Sequence, residues 1–127
     1  MSDPLPTERE LEMLKILWQH KKLTVKEIWK MYLEKQPDLG YTAILTLLQY
    51  MEKKNMVAHE TNGKAYRYYA LRKEKETITD MVRRFVDSVF DGATEAYVLH
   101  ALENEKIPND KLDELEKKIR QAKTFKK

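Results

Sequence analysis

Tyr41-Thr42-Ala43-Ile44-Leu45-Thr46-Leu47-Leu48-Gln49-Tyr50-Met51-Glu52-Lys53-Lys54 reads as a helix with two unlike faces. On a helical wheel counted from Thr42, Ile44, Leu47, Leu48 and Met51 fall between about 140° and 240°. Thr42, Thr46, Gln49 and Lys53 fall within about 40° of zero. One side is an apolar stripe that belongs in a core. The other holds small hydrogen-bonding side chains and a cation. Any solvated helix has a polar face, so the division alone does not assign a role. Threonine is a poor helix former and does little for solubility, which makes its place on this face more telling.

Toward the C-terminus the period changes from helical to alternating. Residues 57–61 and 64–71 read as two strands. Asn62-Gly63 between them is a hairpin signal, expected as a type I′ turn with positive φ at both positions. Toward the N-terminus, Thr7-Glu8-Arg9-Glu10 and Thr24-Val25-Lys26-Glu27 are capping boxes. The first opens a helix with Leu11, Leu14, Ile16, Leu17 and Trp18 toward the core, fading near Lys21. The second opens a helix with Val25, Ile28, Trp29 and Tyr32 or Leu33 at helical spacing, ended by Pro37. A short turn over 38–40 leads into the third helix.

Three short helices followed by a hairpin make a winged helix-turn-helix, expected over residues 1–72. Such a fold lays one helix in the major groove of DNA. Here Thr42 and Thr46 suit a phosphate or a thymine methyl, and Gln49 suits a bidentate pair with adenine. Lys53 can neutralise a phosphate. Nothing on the face suits a strong bidentate contact to guanine, so A/T-biased readout is expected. The hairpin tip, Asn62-Gly63-Lys64 with Arg67 behind it, is the expected wing on the DNA backbone. Tyr41, Tyr50 and Tyr69 are placed to touch sugar or phosphate. Trp18, Trp29, Tyr66 and Tyr68 are read as core.

From Lys73 the helical period returns, and residues 73–127 are expected as a three-helix dimerisation domain, making the chain mainly α. Ile78, Met81, Val82, Phe85, Val86 and Val89 form one long apolar stripe, stopped by Asp91-Gly92. A shorter helix over 94–103 carries Tyr97, Val98, Ala101 and Leu102. The last begins near Pro108, with Leu112, Leu115, Ile119 and Ala122 as its seam, Ile107 stapled to Leu112, and a lysine-rich end over 123–127 that is expected to fray. Some fifty residues are few for an independent core. A second copy of the chain would supply the missing surface, so Ile78, Met81, Val82, Phe85, Val86, Val89, Tyr97, Leu112, Leu115 and Ile119 are read as a homodimer interface. Packing back onto the winged helix is the alternative.

The chain has 127 residues with three Gly, four Pro and no Cys. Without Cys there is no disulfide, no thiolate metal site and no cysteine nucleophile. His20, His59 and His100 lack ligand-spaced partners, no Gly-rich phosphate loop or nucleophile elbow occurs, and most carboxylates sit beside lysines on helix surfaces. No enzyme, metal or cofactor is expected. No apolar run approaches the ~20 residues of a membrane span. The first residues do not resemble a signal peptide, and a cytoplasmic location is expected. Up to Arg72 there are 12 Lys+Arg against 9 Asp+Glu, and beyond it 12 against 12. The cationic excess thus lies on the helix-turn-helix half, as a polyanion partner would require. A winged helix that binds protein and never touches DNA is the competing reading.

Several stretches carry a family resemblance: the runs from Glu10 to Trp18 and Leu23 to Ile28, Leu39-Gly40-Tyr41-Thr42 through Leu47-Leu48, Gly63-Lys64-Ala65-Tyr66-Arg67-Tyr68, Val89-Phe90-Asp91-Gly92, and Leu112-Asp113-Glu114-Leu115. With them the chain resembles the BlaI/MecI penicillinase-repressor family, which includes the copper-responsive CopY repressors. The resemblance implies a dimeric winged helix repressor, a third helix that reads DNA, and an operator with an inverted TACA/TGTA-like core. It implies relief of repression by proteolysis in the C-terminal segment, with a regulatory protease or sensor as partner. The Asn-Phe bond cut in penicillinase repressors corresponds here to His100-Ala101. The cysteine cluster of the CopY type is missing, which excludes copper sensing through it. Pro108 stands where a Ser commonly caps the last helix, weakening that cap by about 1 kcal/mol.

Overall fold

The computed structural model describes residues 4–125. The extreme residues, 126–127 of the lysine-rich end among them, lie outside these. The order is α1 (Glu8–His20), β1 (Leu23–Thr24), α2 (Val25–Tyr32), α3 (Tyr41–Lys53), β2 (Val57–Asn62), β3 (Ala65–Ala70), α4 (Glu74–Val89), α5 (Thr94–Asn104) and α6 (Asn109–Phe125). The chain forms two compact units, one up to Val82 and one from Arg83, dividing inside α4.

In the first unit both capping boxes are made. Thr7 Oγ1 accepts from the Glu10 amide at 3.2 Å while Glu10 accepts from the Thr7 amide at 2.9 Å. Thr24 and Glu27 repeat the arrangement at 3.2 and 2.8 Å. The helices place Met13, Leu14, Leu17, Ile28, Tyr32, Ile44, Leu48 and Met51 in one core with Met56, just before the hairpin, and with Val57 and Tyr68 within it. Trp18 and Trp29 pack against its edge, as expected. The Trp18 indole donates to the Arg72 carbonyl at 2.8 Å and the Trp29 indole to the Leu39 carbonyl at 2.9 Å. Each aromatic body is thus spent on packing and each N–H on a backbone acceptor.

Three features depart from expectation. A third strand, β1, joins the hairpin in the order β1-β3-β2, pairing Leu23 with Tyr68 and Thr24 with Arg67. Two residues are too few to show alternation, so only the pairing reveals it. The hairpin turn sits one residue later than the Asn-Gly signal suggested: Asn62 pairs with Ala65, leaving Gly63-Lys64 as the loop. Gly63 has φ +71°, and among the described residues Lys64 has no positive φ. Glycine with positive φ at the first loop position suits a type II′ turn better than type I′. Tyr66, read as core, is 49% exposed. It shares the inward-facing register of Tyr68, but the ribbon extends past the core at that point, so its ring has no interior to fill.

Glu10 is buried at 2% exposure and its carboxylate meets Lys54 Nζ at 2.8 Å. Burial works to raise its pKa. The bond to Lys54, the Thr7 amide and the Lys54 charge outweigh burial and hold it below the usual carboxylate value. A lowered folded pKa gives stability that is complete above the unfolded value and lost as pH falls through the folded one. Replacement Glu10→Gln is expected to cost about 1–3 kcal/mol at pH 7 and to flatten the acid limb of the stability curve below about 4.5, the ordinary value. Urea midpoints across pH 3–7 check this; parallel curves for the two proteins would show that Glu10 does not carry the dependence.

The C-terminal unit has less interior. No α5 residue is buried. Phe85, Phe90, Tyr97 and His100 form an aromatic cluster with centroids 5.7–6.1 Å apart. Asp91 and Gly92 adopt φ of 53° and 84°, and the Gly92 amide donates to the Val86 carbonyl, ending α4. Val86, grouped with the dimer stripe, is buried in the single chain at 3% exposure, so it serves packing. Ile78, Val82, Phe85 and Val89 on α4, and Leu112, Leu115 and Ile119 on α6, remain exposed. Met81 and Tyr97 are half-buried. The Lys111 and Leu112 amides close the first turn of α6 on the Pro108 carbonyl, at 3.0 and 2.9 Å.

Candidate nucleic-acid interface

On α3, Ile44, Leu48 and Met51 have no exposure at all. Thr42, Thr46, Gln49 and Lys53 are all exposed on the other side. The two-faced reading of this helix is therefore realised in the fold. Gly40 caps α3 without a side-chain hydrogen bond, unlike the capped starts of α1 and α2.

Beside this face runs a groove of about 630 Å³. Thr24, Val25 and Lys26 at the start of α2 form one end, Tyr41, Leu45 and Gln49 of α3 one wall, and Lys64, Ala65 and Tyr66 of the wing the other. Gln49 belongs to both the groove and the exposed face of α3. Tyr41 stands edge-on to Trp29 at 5.9 Å, which holds its ring at the groove end. Lys26, Lys53 and Lys64 are exposed and enter none of the ion pairs among the described residues.

Other predicted residues lie elsewhere. Tyr50 is 57% exposed, outside the groove, with Lys54 Nζ 5.0 Å from its ring centre. Arg67 is on the outer face of the sheet, opposite Glu60 in the ladder. Glu27 has its carboxyl held low first by the Thr24 amide, against burial, and then by the Thr24 hydroxyl and the Arg67 charge. Lys22, on the same side, pairs with Glu60 at 3.0 Å and lies 5.6 Å from the Tyr69 ring centre. The outer face of the wing is thus charge-balanced, while the tip and groove are cationic.

Sequence reasoning did not assign Thr24, Val25, Lys26, Leu45, Ala65 or Tyr66 to this site. Lys26 is masked in a sequence by its place in a capping box, which explains its neighbours without a second role. Among the described residues no group of three or more His, Cys, Asp and Glu is arranged for a metal ion, and no helix is long and apolar enough to cross a membrane.

The penicillinase repressor family model matches residues 6–121. The chain belongs to that family. The penicillinase repressor of Bacillus licheniformis is 27% identical over 124 residues, covering 98% of this chain and 96% of that one. The transcriptional regulator BlaI of Mycobacterium tuberculosis is 28% identical over 97 residues, 76% of this chain and 68% of its own. The solution structure of the DNA binding domain of the repressor BlaI superposes with a TM-score of 0.52 at 24% identity, covering 59% of this chain and 90% of that one, and shares the winged helix fold. These relatives are named as repressors and regulators, and penicillinase repressors are not enzymes.

Proposed function

We propose that this penicillinase-repressor family member acts as a homodimer on a palindromic operator with TACA/TGTA-like half-sites, in the cytoplasm. The observation that carries the reading is the exposed Thr42, Thr46, Gln49 and Lys53 face beside a groove rimmed by unpaired Lys26 and Lys64. Residues 1–72 bind DNA and 73–127 join the copies. Thr42, Thr46 and Gln49 meet base edges, while Lys53, Lys64, Tyr41 and Tyr50 meet the backbone. Arg67 contributes less than its charge suggests, because Glu60 and Glu27 lie near it. The exposed apolar residues Ile78, Val82, Phe85, Val89, Leu112, Leu115 and Ile119, with half-buried Met81 and Tyr97, supply the dimer surface. His100-Ala101 lies within α5. A regulatory protease cutting there, prompted by a sensor, would release α6 and with it part of the dimer surface.

The test is fluorescence anisotropy with a palindromic duplex and a scramble of equal composition, near physiological salt. Preference for the palindrome by at least about 10³-fold is expected. Weak, equal and salt-sensitive binding to both would remove the operator assignment. No binding at low salt would favour a winged helix that binds protein.

Two substitutions separate the roles. Lys64→Ala is expected to weaken binding to every sequence alike and to lower the salt slope by about one. Gln49→Ala is expected to relax the preference at one position per half-site by about 1–3 kcal/mol. Equal losses on specific and random DNA for both variants would show that these roles are misassigned.

A further inference from the structure

Tyr41, Leu45, Gln49 and Glu52 follow one another at i, i+4, i+8 and i+11 along α3, forming a single stripe. The first three line the groove. Glu52 instead takes His59 of β2, whose Nδ1 lies 2.8 and 3.0 Å from its two carboxylate oxygens. A carboxylate only accepts, so Nδ1 is the donor of this contact. The imidazole stacks on Tyr66 with centroids 4.5 Å apart and planes at 27°. It also tilts against buried Tyr68 at 5.3 Å. Tyr66 then presents the rest of its ring to the groove.

This chain of contacts runs from the end of α3 through the wing to the groove wall. Its setting gives it something to do. β1 braces β3 only at Arg67 and Tyr68, so beyond those positions the wing is a two-stranded ribbon. Such a ribbon is marginal alone, and its angle to the helix needs an anchor. His59 and Glu52 keep side-chain exposures of 30% and 34%, so the contact is not closed core packing.

We propose that Tyr66 contacts the DNA backbone from the wing, and that Glu52 and His59 are positioning residues that hold it there. The inference rests on the DNA-binding reading above. The phenol can donate to a phosphate oxygen, a contact that fixes orientation without reading sequence. The Glu52–His59 tie lets the wing reach the duplex already at its binding angle, which removes an ordering cost from association.

The test uses the full chain, the palindromic duplex, and a random duplex at low salt, below each variant's melting temperature. Tyr66→Ala and His59→Ala are each expected to raise Kd by about 3- to 10-fold on both duplexes. The double variant should lose no more than Tyr66→Ala alone, because His59 acts through Tyr66. His59→Gln, which keeps a donor toward Glu52, should recover part of the loss. If His59→Ala fails to fold, Glu52→Ala takes its place in the same cycle. Additive losses, or an unchanged affinity for the positioning variant while Tyr66→Ala binds weakly, would overturn the proposal. If the unmodified chain binds neither duplex at low salt, the DNA-binding reading falls and this one with it; binding by the unmodified chain leaves the cycle to judge the tie alone.

Discussion

A chain ending at Phe90 is expected to bind a full palindromic operator about 10²–10⁴-fold more weakly than the intact protein, with its affinity for a single half-site unchanged. The truncation removes α5 and α6, and with them Tyr97, Leu112, Leu115 and Ile119, while leaving α3 and the wing intact. Two joined copies turn the second half-site contact into an intramolecular event, and a monomer loses that gain without losing a single DNA contact. Sedimentation should show a monomer, and anisotropy on full and half operators should show the split. A truncated chain that holds the palindrome as tightly as the whole would show that α5 and α6 are not needed to join the copies.

Leu48→Ala is the second large effect, and it falls on stability. Leu48 has no exposure and sits on the core stripe of α3 with Ile44 and Met51. Truncation to Ala removes buried methyl groups and leaves a cavity, at a cost of about 2–5 kcal/mol. In a domain of this size each kcal/mol lowers the melting temperature by roughly 4–8 °C, so the variant should be partly unfolded at ordinary growth temperature. Thr46→Ala, two residues away on the exposed face, is expected to change stability by less than about 0.5 kcal/mol while altering DNA binding. Thermal melts of both variants check the contrast. A Leu48→Ala loss below about 1 kcal/mol would mean that the core yields more readily than its burial implies.

Most of the winged helix was legible because its signals are local. The capping boxes at Thr7 and Thr24 need only four residues each, and the apolar stripe of α3 shows in one helix. Family membership rests on longer runs, which the match over 6–121 upholds. What stayed hidden depends on distant partners. The strand pairing of Leu23 and Thr24 requires β3. The burial of Glu10 requires Lys54, at the far end of α3. Tyr66 and Tyr68 alternate identically in sequence, yet one lines the groove and one is buried, because only the part of the ribbon away from its Gly63-Lys64 loop covers the core. Arg67 reads as a wing cation like Lys64, but their neighbours differ across the ladder. The face of a strand can be read from its pattern; what stands opposite it cannot.

The tie between Glu10 and Lys54 also limits how this protein can drift in evolution. Its two ends are not equivalent: the acid is 2% exposed and the amine 23%. If the lysine is replaced first, a carboxylate is stranded in the interior, the more damaging kind of loss. If the glutamate becomes glutamine first, the ammonium can still turn toward water. Descent should therefore cross this pair in one direction, acid before base, and lineages that have kept a charged residue at position 10 should have kept its cation.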